Sequence, residues 1–139
     1  MNYRQNYAIN FKPSSFELDE RSQKYLNENI IDFYDKNLPE KMKIILKGYA
    51  SSLSNKATFM KTTEIIAILK SIGEFDEQNK TNRLTVHEHQ VYLSYKRVEA
   101  VANFLIEGGI PKNFIVQTEF KGYEKDSPTS RRVDILLIP

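Results

Sequence analysis

Residues 42–50 read Met-Lys-Ile-Ile-Leu-Lys-Gly-Tyr-Ala. Ile44, Ile45 and Leu46 are consecutive, so an extended chain would be apolar on both faces here, which predicts an interior strand. Gly48 projects no side chain, and its place near the strand end predicts a bend or the close approach of another backbone. An interior strand needs neighbours, and the rest of the chain offers them. Upstream, Tyr7, Ile9 and Phe11 alternate along one face of a short half-buried strand. Pro13-Ser14-Ser15 breaks that strand. A helix over 19–37 follows, with Tyr25, Leu26, Ile30, Phe33 and Tyr34 at helical spacing, and Pro39 closes the connection.

Downstream, Ser51 to Asn55 is loop chemistry. Residues 56–73 predict a helix, with Phe59, Ile65, Ile66, Ile68, Leu69 and Ile72 apolar and Gly73 as the stop. Residues 74–83 are polar and predict a surface loop. A long helical stretch runs from Val86 to Glu107. Thr85 and Glu88 form a capping box at its start, and Ser94, a residue suited to cap a fresh start, predicts an interruption. Gly108-Gly109 and Pro111 end it. Phe114 to Phe120 and Arg132 to Ile138 then read as strands around a charged loop. The order β-α-β-α-α-β-β fits an α/β (α+β) fold, a mixed sheet with helices packed on one face.

A chain of 139 residues suits one domain and buries a full core without metal or disulfide. It has no cysteine, which excludes thiol nucleophiles, disulfides and thiolate metal sites. A net charge of +2 gives no reason to expect a nucleic-acid partner. No apolar run approaches the roughly 18 residues of a membrane span. Residues 1–18 lack an apolar core, so no signal peptide is expected within this chain. His87 and His89 are two apart, on different faces of a helix, with no third ligand near, so no metal site is expected. The chain shows no nucleophile elbow, P-loop or dinucleotide fingerprint. The expectation is a protein without cofactor that is not an enzyme.

Three short segments carry a family resemblance. Gly48-Tyr49-Ala50-Ser51 stands where the OmpA-like domain family shows G-H-T-D after its second strand. Gln90-Val91-Tyr92-Leu93-Ser94-Tyr95-Lys96-Arg97-Val98 resembles its N-x-x-L-S-x-x-R-A, and Ser130-Arg131-Arg132-Val133 resembles its N-R-R-V. The resemblance runs from Ile9 to Ile138, and it implies a β-α-β-α-β-β arrangement. Between Ser51 and Arg97 the chain is much longer than the family's usual interval. Residues 54–84 are therefore expected to be a helical insertion beside the binding loop.

In outer-membrane proteins, lipoproteins and flagellar stator proteins of Gram-negative bacteria, such domains bind peptidoglycan. The resemblance implies a periplasmic, noncatalytic domain that binds diaminopimelate of the stem peptide, with no membrane insertion of its own. The family's motif arginine, here Arg97, pairs with a ligand carboxylate, a role suited to its planar fork. The motif aspartate pairs with the ligand ammonium. Ser51 stands at that position and carries no charge. Gln90 replaces an asparagine, Leu93 matches a packing residue, and Arg132 matches the second arginine of the final motif. These five are the expected ligand-binding residues. Asp76, Glu77 or Glu88 would be candidates to replace the missing carboxylate. Against this stand structural readings: Arg97 as a solvated helix residue or as partner of Glu99 or Asp134, and Ser51 as a loop serine. The alternative function is a degenerate module for protein–protein interaction within an envelope or secretion assembly.

Overall fold

The computed structural model describes residues 4–51, 59–123 and 128–139. Strand β1 (Gln5–Asn10) turns its odd residues inward, and Ile9 is buried. The Asp19 carboxylate accepts the Ser22 N–H at 2.8 Å and so caps α1 (Glu20–Leu26). One wide turn, Asn27–Ile31, joins α1 to α2 (Asp32–Asn37). This helical run ends at Leu38, which adopts the left-handed conformation ahead of Pro39. β2 (Lys43–Ala50), α3 (Thr63–Ser71), α4 (Val86–Glu107), β3 (Ile115–Tyr123) and β4 (Arg132–Ile138) follow.

The strands form one sheet in the order β1-β4-β2-β3. β4 lies antiparallel between β1 and β2, while β2 and β3 are parallel, joined by the crossover that contains α4. The interior position of the Ile44-Ile45-Leu46 strand is thereby realised, and the helices pack on one face. On that face Ile44, Leu46, Val133, Ile135 and Leu137 meet Leu26, Ile30, Val98, Val101 and Leu105. Each such side chain contributes roughly 1.5–3 kcal/mol on burial. The other face carries Ala8, Ile45, Lys47, Tyr49, Asp134 and Leu136 along a shallow groove.

Two expectations need correction. The helix over residues 86–107 runs without a break at Ser94. The serine hydroxyl turns back to the Val91 carbonyl at 2.8 Å, which satisfies it inside the helix rather than at a cap. Residues 59–84 hold a shorter helix than their apolar pattern predicts, because Thr62 caps α3 through the Ile65 N–H. Met60 and Arg83 close the stretch with an isolated β-bridge. Ile65 and Leu69 then pack on Val91 and Tyr92 of α4, beside Phe75, Leu84 and Phe120, as a second apolar cluster. Residues 54–58 of the expected insertion, and the loop after Ser51, fall outside the described residues.

Candidate functional site

α4 crosses the sheet where β2 has no side chain. A Cβ on Gly48 would collide with the Ser94 carbonyl oxygen and stand 2.7 Å from Val98 Cγ2. Ser94 also accepts the Gly122 N–H at 3.3 Å, and Gly122 has φ +67°, which an L side chain rarely adopts. Glycines on β2 and β3 thus let α4 settle against the sheet. This packing buries the helix positions that the family resemblance marks: Gln90, Leu93, Ser94 and Arg97 are all buried, and so is Ser51 at the end of β2.

Among the described residues Arg97 is the largest fully buried side chain, at 0% exposure. It lies in the middle of the unbroken helix, away from the free N–H groups of the helix start. Its Nε donates to the Ser15 carbonyl at 2.8 Å, its Nη1 to the Tyr49 carbonyl at 3.0 Å and its Nη2 to the Lys12 carbonyl at 3.2 Å. The ring of Phe11 lies 5.4 Å from the guanidinium carbon. Two of those carbonyls belong to the turn that leaves β1. There Pro13 fixes its own φ, Ser14 takes φ +56°, and the Ser15 N–H returns to Lys12. The turn therefore wraps the guanidinium, and Arg97 ties it to the end of β2. Neither Glu99 nor Asp134 pairs with Arg97; Glu99 holds Lys96, and Asp134 holds Arg132.

Burial pushes the Arg97 pKa down to about 10, and the nearby Arg131 guanidinium pushes the same way. At neutral pH the group keeps its charge, and three carbonyl dipoles carry it. Arg131 donates its Nε to the Phe11 carbonyl at 3.1 Å.

Arg132 lies on the other side of the sheet. Its guanidinium stacks 4.2 Å over the Tyr49 ring, bonds Asp134 through Nε at 2.8 Å and donates Nη1 to the Thr129 carbonyl at 3.1 Å. Gly48 faces α4, so Tyr49 faces away from it, and Arg132 shares that uncovered face. Tyr49 thus touches Arg97 through its carbonyl and Arg132 through its ring, with the sheet between the two guanidinium groups. The structure brings Ser51, Arg97 and Tyr49 to one end of β2, while Arg132 stands behind it.

Two of the acids expected near the site, Glu88 and Asp76, are engaged elsewhere. Glu88 is fully buried and accepts from the Thr85 N–H at 2.8 Å, the Asn79 amide at 2.9 Å and the Asp76 N–H at 3.1 Å, with Lys61 Nζ at 3.9 Å. Burial raises its pKa, but those hydrogen bonds and the lysine outweigh it and hold the carboxyl below its usual range. It secures residues 76–85 to α4, nine residues from Arg97, or roughly 13 Å along the axis. Asp76 spends a carboxylate oxygen on the Gln78 N–H. The Thr85–Glu88 capping box is present as the sequence predicts. Among the described residues no three His, Cys, Asp or Glu side chains are grouped to hold a metal ion, and no helix is long and apolar enough to cross a membrane.

The turn over Arg97 is the feature that sequence reading misses. Lys-Pro-Ser-Ser signals a turn, but nothing local tells that its carbonyls face an arginine more than 80 residues away.

No protein-family model and no curated protein sequence matches the chain. Its fold is similar to that of solved structures. The OmpA-like domain of FopA1 from Francisella tularensis is 16% identical, with a TM-score of 0.56 over 98% of this chain and 73% of that one. The periplasmic domain of Helicobacter pylori MotB is 16% identical, with a TM-score of 0.59 over 99% and 78%. A MotB-like protein from Desulfovibrio vulgaris is 14% identical, with a TM-score of 0.56 over 97% and 73%. At these identities the likeness is one of fold.

Proposed function

We propose that this chain is a noncatalytic, periplasmic module of OmpA-like fold that works through protein–protein contact in an envelope or secretion assembly. In this reading the seat for diaminopimelate is closed. The observation that carries it is the state of Arg97: buried, with Nε, Nη1 and Nη2 all donating to backbone carbonyls. A guanidinium so engaged would have to break charge-assisted hydrogen bonds, each worth roughly 1.5–3 kcal/mol, before it could grip a ligand. The neutral Ser51 and the occupied Glu88 support the same reading. So does the separation of Arg132 from Arg97 by the sheet. The periplasmic location rests on the likeness to the MotB periplasmic domains.

One observation favours the second reading, binding of the peptidoglycan stem peptide. No carboxylate pairs with Arg97 among the described residues, and Arg131 adds a second positive charge nearby. A ligand carboxylate would find an uncompensated charge there if the 12–15 turn parted. Calorimetric titration with a diaminopimelate-containing stem peptide, beside a pull-down on purified sacculi, decides between them. The proposal expects no heat from the wild-type chain, none from Ser51→Asp and no retention by sacculi. Saturable heat that Ser51→Asp strengthens would establish the second reading instead.

A further inference from the structure

The outer edge of β1 has the features of a docking strand. Among the described residues β1 ends the sheet, with β4 on one side only. The Phe11 N–H bonds the Arg131 carbonyl at 2.7 Å, which sets the phase of the ladder. By alternation, the backbone groups of Asn6, Ala8 and Asn10 then point away from β4. Edge strands are commonly protected by lysine, proline or a bulge. β1 reads Gln-Asn-Tyr-Ala-Ile-Asn, with none of these residues, and its register with β4 is unbroken over all six.

A groove of about 430 Å³ runs along this edge. Residues 8–11 form one wall, and Asp19, Arg21, Ser22 and Tyr25 of the facing helical segment form the other. Its charge is one-sided. Among the described residues, Lys12, Arg21 and Arg131 line it against the single carboxylate of Asp19. That carboxylate already accepts the Ser22 N–H, and both Lys12 and Arg21 are close enough to help lower its pKa. An unpaired strand edge beside a helix, flanked by cations, is suited to an extended segment that adds backbone hydrogen bonds and presents carboxylates. A second copy of this chain fits less well. Antiparallel β1–β1 pairing about the strand centre would set Arg4 of one copy against the Phe11–Lys12 end of the other.

We infer that the β1 edge receives an extended acidic peptide segment of a partner protein, paired to Asn6, Ala8 and Asn10, with its carboxylates held by Lys12, Arg21 and Arg131. This inference rests on the reading of the chain as a protein–protein module and names its partner class. The test is a titration of the full ¹⁵N-labelled chain, followed by amide NMR, with a capped hexapeptide of alternating glutamate and valine. Its lysine–valine counterpart serves as control. The acidic peptide should shift the Asn6, Ala8 and Asn10 amides saturably, at least about tenfold more tightly than the basic one. Ala8→Pro removes an outward N–H on an edge strand, where proline is tolerated, and should abolish the shifts while the melting transition persists. Lys12→Glu with Arg21→Glu should reverse the preference between the two peptides. Equal affinity for both peptides, or silence of these amides up to about 5 mM acidic peptide, overturns the inference. So does a set of edge shifts that grows with protein concentration alone, which would mark self-pairing. Silence at this edge leaves the closed seat at Arg97 untouched, whereas stem-peptide shifts at Arg97 would overturn the proposed function itself, so the two failures are read at different resonances.

Discussion

Replacing Arg97 by methionine removes three backbone clamps and one buried charge, and the two effects oppose each other. The three hydrogen bonds span 2.8–3.2 Å and tie the 12–15 turn and the end of β2 to α4. At roughly 1.5–3 kcal/mol for each bond to a charged donor, their loss costs about 4.5–9 kcal/mol. Against this, the fall of the Arg97 pKa from 12.5 to about 10 corresponds to a cost of roughly 3 kcal/mol for keeping the charge buried, which methionine would relieve. The clamps win, and Arg97→Met should lose about 1.5–6 kcal/mol, a large part of an ordinary domain stability. Arg97→Lys keeps the charge but not the planar fork, and should fall between the two. Urea denaturation followed by far-UV dichroism and tyrosine fluorescence suits a chain with eight tyrosines and no tryptophan. If Arg97→Met unfolded within about 1 kcal/mol of wild type, the guanidinium would not be holding the turn, and its assignment as a structural clamp would be wrong.

Glu88 supplies the pH dependence. Its pKa is lower in the folded chain than its ordinary 4.5, so its contribution is complete above that value and fades as pH falls through the folded one. Glu88→Gln should cost about 1–3 kcal/mol near neutral pH, with the difference from wild type shrinking below pH 4.5 in paired urea titrations. Gly48→Ala places a methyl against the Ser94 carbonyl and Val98, so thermal melting should report a loss of about 1–3 kcal/mol as α4 is forced off the sheet. Leu38 has φ +41° and is two-thirds exposed, so Leu38→Gly should relieve strain and raise stability by about 1 kcal/mol in the same assay.

The strands and their order in the chain are legible because their residues carry strong local signals. Ile44-Ile45-Leu46 belongs inside a sheet, and the alternation of Tyr7, Ile9 and Phe11 belongs on a half-covered strand. Thr85 with Glu88, and Gly108-Gly109 before Pro111, mark both ends of α4. Ser94 misleads because serine serves equally as a cap and as a mid-helix donor to the preceding turn, and only the close packing against Gly48 and Gly122 favours the second. Residues 74–83 look like a solvated loop, yet Asp76 and Asn79 turn inward to the Glu88 carboxylate. Arg97 is the hardest case. Its position in a motif is visible, but its employment depends on carbonyls 82 and 85 residues away, and no periodicity reports a contact of that range.

The central claim is that Arg97 is spent inside the fold. Its Nε–H can be followed directly by ¹⁵N NMR while a diaminopimelate-containing stem peptide is added to the full chain. The account predicts that this resonance, held by the Ser15 carbonyl, stays slow to exchange with solvent and does not move as peptide is added. A saturable shift of the Arg97 Nε–H, with the Lys12 and Ser15 region moving in step, would show that the turn opens to admit a carboxylate and would contradict it.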